Sequence, residues 1–277
     1  MQVIDVHTHA FPDSLAERAM AALQEHCPWK AVSDGKIASL LASMDQAGVQ
    51  TALLCTIATR PDQPAGILKW CHQIAGPRII PLPSVHPDTP DIAGWIRRFR
   101  DEGFVGIKLH PQYQDIEADD PKMDAIYAGA EESGLVVQSH CGRDIAFPPD
   151  DDRAAPRRFA AVMRRHAGLK LVCTHLGGWR MWDEVRQHLL GTDVFLETSF
   201  SLEELGPQVA EEMIRRHGTG KVMFGTDWPW QDQQQALRQL GKLDLNRTEQ
   251  QAILCGNAQR LFKLAQTAPG PGPAPGR

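Results

Sequence analysis

The stretch Val3 to His9, VIDVHTH, opens as a β-strand and closes on two histidines one residue apart. Side chains alternate across a strand, so Asp5, His7 and His9 fall on one face, the imidazoles at the C-terminal end and Asp5 deeper. Two imidazoles so placed can share one metal ion. With 11 His in 277 residues, chance alone gives about 0.4 such pairs, so the rest of the chain has to support the reading.

Seven further β-rich runs follow: TALLCTI from Thr51, IIPLPSV from Ile79, FVGIKL from Phe104, LVVQSH from Leu135, LKLVCTH from Leu169, VFLETS from Val194 and KVMFGTD from Lys221. Amphipathic helical stretches lie between them, at Lys36 to Ala47, Asp91 to Glu102, Pro121 to Ser133, Arg157 to His166, Leu202 to His217 and Thr248 to Leu264. Strands separated by helices imply parallel pairing, because a parallel crossover needs a helix-sized connection. The pattern predicts an α/β protein, a single (β/α)8 TIM barrel over residues 1–267, in preference to an open doubly wound sheet. The long crossover after strand one, interrupted by His26, Pro28, Trp29 and Lys30, and the segment CGRDIAFPPDDDRAAP after strand five are expected as rim insertions that shape a pocket. The tail Ala268 to Arg277, APGPGPAPGR, is expected to be disordered.

Composition narrows the function. With 29 basic against 34 acidic residues and a net charge of −5, there is no basic stripe for a phosphate backbone. No run approaches the roughly 18–20 apolar residues of a membrane span. The expectation is a soluble, cytoplasmic protein with a small-molecule substrate, no nucleic-acid or membrane partner, and exposed helices available for a homodimer. Six scattered cysteines without CxxC spacing are read as reduced, not as metal ligands. No dinucleotide fingerprint, phosphate loop or nucleophile elbow is present.

Ligand-type side chains recur where barrel active sites form. Lys108 and His110 close strand four, His140 strand five, His175 strand six and Asp227 strand eight. Each alone has a structural explanation; five strand ends together point to a site. The strings IDVHTH, GIKLHP, THLGG, FGTDWP and GNAQRLFKL extend this pattern over nearly everything before the tail. In this the chain resembles the amidohydrolase superfamily, in its amidohydrolase-related branch with aminocarboxymuconate-semialdehyde decarboxylase.

The resemblance implies that His7, His9, His140 and Asp227 ligate a divalent metal, most simply Zn²⁺, with one position open for water. His175 and Asp227 would be catalytic, Asp227 taking the proton of the activated water and His175 assisting. Lys108 admits three readings: carboxylated and bridging two metals, an ammonium for substrate, or a structural ion pair such as one with Asp5. One ion is the preferred reading. His110 would contact substrate, become a water ligand or support the turn at Pro111, and Lys108, His110, His175 and Arg143 are the further candidates for metal or substrate. Arg60, Arg143, Arg180, Trp179, Trp228 and Trp230 fall just beyond strand ends as candidate pocket residues, and Glu197 and Ser199 as groups orienting a ligand. The implied activity is hydrolysis of an amide, lactone or ester of a small acidic or cyclic compound. The alternatives are non-oxidative decarboxylation of an aromatic or muconate-type acid, with Lys108 and Arg143 meeting the anion, and a non-catalytic metal-binding barrel.

Overall fold

The computed structural model describes residues 1–25 and 27–264, so His26 and the expected disordered tail lie outside the described residues. All eight strands form where the sequence places them: β1 Ile4–Thr8, β2 Thr51–Cys55, β3 Ile79–Leu82, β4 Gly106–Leu109, β5 Val136–Ser139, β6 Lys170–Cys173, β7 Phe195–Glu197 and β8 Val222–Met223. The helices are α1 Asp13–Glu25, α2 Ile37–Ala47, α3 Pro64–Ile74, α4 Ile92–Asp101, α5 Asp124–Ser133, α6 Pro156–Arg165, α7 Trp182–His188, α8 Leu202–His217, α9 Gln233–Leu240, α10 Arg247–Gln251 and α11 Asn257–Phe262. Of these, α1, α3, α7 and α9 are not among the helices expected from the sequence; α1 lies in the long first crossover, ahead of its interruption. No described helix is long and apolar enough to cross a membrane.

Local chemistry sets the boundaries. Proline, whose fixed φ suits the first helical turn, begins α3 and α6. Asp91 caps α4 by accepting from Gly94 N, and Asn246 with Glu249 forms a capping box on α10. Left-handed Gly48 and Gly134 stop α2 and α5.

The ladders run β1-β2-β3 and β4-β5-β6-β7-β8, with every pair parallel. Two sparser seams complete the ring. Lys108 N donates to Pro83 O at 2.9 Å, joining the third strand to the fourth. Across the other seam, Val6 N donates to Phe224 O at 2.9 Å, Asp227 N to His7 O at 2.7 Å and His9 N to Trp228 O at 2.6 Å.

Alternation sorts side chains into two cores. Val6, Leu53, Leu82, Val136, Val172 and Met223, from six strands, meet in one cluster, which only the inside of a closed barrel permits. Leu261 and Phe262 of α11 plug its lower end. The intervening residues, such as Leu54, Leu109, Val137 and Leu196, pack outward against the helices.

This sorting corrects the face of Asp5. Ile4 and Val6 point inward, so Asp5 between them does not. The register explains why: Asp5 pairs with Ala52 and Thr8 with Leu54, so β1 carries one more residue than β2 between these pairs. That bulge turns His7 and His9 inward after Val6 and leaves Asp5 outside their line. Asp5 accepts from Gln233 Nε2 of α9 at 2.8 Å and Thr226 Oγ1 at 2.6 Å.

Candidate metal centre

The strand ends open into a cavity of about 760 Å³ whose lining includes His7, His9, His110, His140, His175 and Asp227. At its floor, His7 Nε2 lies 3.1 Å from His9 Nε2, and Asp227 Oδ1 lies 3.3 Å from the first and 3.1 Å from the second. The other ring nitrogens are spoken for. His7 Nδ1 donates to Glu197 Oε1 at 3.1 Å and His9 Nδ1 to the Cys55 carbonyl at 2.9 Å. Both Nε2 atoms therefore present lone pairs to each other and to a carboxylate oxygen, an arrangement that repels itself unless a cation sits between. Donors about 2.1 Å from one ion stand about 3.0–3.4 Å apart in octahedral or tetrahedral geometry, so the observed spacings fit a divalent metal.

Electrostatics keep this set in ligand form. Burial, with Lys108 beside it, pushes His7 down to about 4, so the ring is neutral near pH 7. Burial alone would raise Asp227, but His7 and His9 beside it outweigh that and hold the carboxyl well below its usual range. Glu197 is likewise penalised by burial, yet His7, His175 and Ser199 bring it down to about 2. Asp227 and His175 adopt left-handed backbone, φ 61° and 58°, which non-glycine residues rarely do and which concentrates at functional sites.

Behind the donors, Glu197 Oε1 also accepts from His175 N at 2.8 Å and Ser199 Oγ at 2.7 Å. Ser199 Oγ stands 2.8 Å from His175 Nδ1, and His175 Nε2 stands 3.1 Å from His140 Nδ1. His140 Nε2 donates to the Arg143 carbonyl at 3.0 Å, leaving its Nδ1 as an acceptor. His175 Nε2 can therefore donate to it, while Ser199 Oγ bridges His175 Nδ1 and Glu197.

The predicted residues divide accordingly. His7, His9 and Asp227 gather within 4.8 Å of one another; His140 gathers instead with His110 and Asp144. His110 stacks on His140 at 4.2 Å between centroids, and its Nε2 meets Asp144 Oδ2 at 3.2 Å. Burial drives both imidazoles well below their ordinary value, reinforced by Lys108 at His110 and by His110 at His140. Lys108 is fully buried beneath the floor, its Nζ 3.0 Å from His7 Nε2. Among the described residues no carboxylate lies within ion-pair reach of it, so the expected pair with Asp5 does not form. Glu197 and Ser199 stand behind the ligands, as their strand-seven position suggested.

Of the pocket candidates, Arg60, Arg143, Trp179 and Trp230 line the cavity. Arg180 turns away to Glu204 at 2.8 Å and covers Trp179 at 4.2 Å, while Trp228 is buried in the core. Sequence reading missed Phe200, stacked 5.1 Å from Trp29, and Tyr113, edge-on to His110 at 4.6 Å. Trp29 was seen only as an interruption; a lone aromatic after a Pro in a rim crossover was its one signal.

A closed barrel with convergent polar side chains at the C-terminal ends of its strands is the architecture of a barrel enzyme. The chain belongs to the amidohydrolase family, whose model matches residues 4–264. Compared by sequence with curated proteins, it has no match. Among solved structures it is similar to 2,6-dihydroxybenzoate decarboxylase from Rhizobium, 18% identical with TM-score 0.68 over 95% of this chain and 99% of that one. It is also similar to 5-carboxyvanillate decarboxylase LIGW2 from Novosphingobium aromaticivorans with bound manganese, 15% identical, TM-score 0.70, over 95% and 97%. A third is described as "probable 2-pyrone-4,6-dicarboxylic acid hydrolase" from Acinetobacter baumannii, 16% identical, TM-score 0.65, over 95% and 100%. At these identities the likeness establishes the barrel.

Proposed function

We propose that this enzyme removes a carboxyl group, without oxidation, from an aromatic or similarly unsaturated ring acid, using one divalent ion held by His7, His9 and Asp227. His140, the further donor the family pattern suggests, has its Nε2 at the Arg143 carbonyl and its Nδ1 at His175, so it would have to turn to join them. The observation that carries the reading is a metal-fitting donor set opening on an aromatic-walled cavity beside His175, whose ring nitrogens lie within hydrogen-bond reach of His140 and Ser199. The substrates named for two similar structures, both ring carboxylates, support it.

When bound, the ion supplies Lewis-acid polarisation of the substrate's oxygens. Phe200, Trp29 and Tyr113 offer faces and edges to a flat ring. Arg143, exposed on the rim, meets an anionic substituent. His175 supplies the proton that replaces the carboxyl at the ring carbon, and Ser199 and Glu197 hold the imidazole in place for the transfer. Apolar walls disfavour a carboxylate more than neutral carbon dioxide, which helps the C–C bond break.

Hydrolysis of a lactone, amide or ester ranks second. It is favoured by the Asp227 carboxylate at the cavity floor, placed to take a proton from water. Imidazole and carboxylate donors accept Zn²⁺ and Mn²⁺ alike, so elemental analysis of the purified protein names the ion. The deciding experiment is a panel of aromatic acids and lactones with metal-replete protein. Carbon dioxide release that disappears in His175→Asn supports the proposal; lactone opening without decarboxylation of any ring acid overturns it.

A further inference from the structure

Helix α1 contributes a single buried residue, Ala16, to the core. Its apolar Leu15, Ala19, Ala22 and Leu23 recur at helical spacing, and all four line the cavity that holds the candidate metal ligands. Leu15 is 41% exposed, a large apolar side chain that the protein itself leaves uncovered. Ile67 and Trp70 of α3 line the same space. A helix whose apolar stripe faces an open cavity has left the covering of that stripe to something else. Because one cavity is lined by both the donor set and this stripe, a molecule longer than one ring can touch the two at once. At about 760 Å³ it has the size that encloses a drug-sized ligand, far more than one ring requires.

We infer that the substrate is a two-part acid: a carboxylated ring at His7, His9 and Asp227, and an apolar extension, alkyl or a second ring, lying against α1 and α3. The ring end rests on the proposed function; the extension rests on the stripe. Ala19 and Ala22 then act as specificity residues, their small side chains leaving room for the extension.

The test is calorimetric binding of benzoate and its 4-methyl to 4-butyl derivatives to the metal-loaded full chain. Affinity is expected to rise by up to about fourfold per buried methylene, the equivalent of about 0.8 kcal/mol each. Ala19→Trp and Ala22→Trp, filling the space, should remove the increment. Ala21→Trp, on the exposed side of the same helix, should keep it. Equal affinities along the series in the unsubstituted protein, or an increment that survives both filling substitutions, overturns the inference. So does dimerisation that masks the stripe and competes with the butyl chain, which would assign it to a second copy. The two readings fail separately. An increment without carbon dioxide release from any ring acid removes the decarboxylase and keeps the extension; release without an increment does the reverse.

Discussion

Replacing Glu197 with Gln tests the centre through a residue outside the cavity wall. Glu197 is fully buried, and its carboxylate receives His7 Nδ1 at 3.1 Å, His175 N at 2.8 Å, Ser199 Oγ at 2.7 Å and, on Oε2, Ser199 N at 2.8 Å. Glutamine keeps the shape but must aim its NH₂ at one of the two backbone N–H groups. At least one buried donor is left without an acceptor in either orientation, Ser199 N in one and both His175 N and His7 Nδ1 in the other, at a cost of about 1–3 kcal/mol each. Loss of the anion also weakens the bond that orients His7 and enriches its Nε2, which for the outer partner of a ligating imidazole typically costs about 10–100-fold in metal affinity. Urea unfolding of the metal-free protein should show the first effect and chelator competition the second, with the far-ultraviolet spectrum unchanged. Metal affinity within about twofold of the original, in a variant that has lost stability, would refute the reasoning and make Glu197 a packing residue alone.

His9→Ala should purify without its ion and without turnover; activity retained in that variant, or in metal-stripped protein, contradicts the assigned centre. Gly225→Ala would bring a Cβ 2.1 Å from Glu197 Oε2 and 3.1 Å from His7 Cβ. A destabilisation of about 1–3 kcal/mol with weakened metal binding is expected; unchanged unfolding and affinity would contradict the tight packing. Asp5, despite its hydrogen bonds, is raised by burial from 3.8 to about 7, with Glu197 adding to the effect. Its neutral form is the one the folded state prefers, so its contribution is full below about pH 4 and lost as pH rises through 7. Relative to Asp5→Asn, the natural chain should lose on the order of 4 kcal/mol between pH 4 and 8. Parallel stability profiles for the two proteins would show that Asp5 stays ionised throughout.

Much of the barrel was legible because β-rich runs and helical stretches alternate in the chain with little ambiguity of period. The strand-end side chains were legible because a barrel has one functional rim. What the sequence withheld was nonlocal. The facing of Asp5 depended on one extra residue in β1, visible only when its register with β2 is known. The orientation of His140 is set by a carbonyl three residues on, in a loop whose course the sequence does not encode in any period. The stacking of Trp29 on Phe200 joins residues far apart in the chain, and neither position carries a signal of the other. Helix α1 escaped notice because its apolar stripe is sparse in large residues, as suits a face that borders open space and not the core.

The seam that joins the eighth strand to the first has a further significance. His7 lies in the first strand and His9 just past its end, Asp227 in the segment leaving the last, and a few main-chain bonds, Asp227 N to His7 O among them, tie the two together. Any force that pries the first strand from the eighth pulls this trio of donors apart. A cation gripped by all three would act as a rivet across that join, so mechanical integrity and reactivity would be lost in the same event.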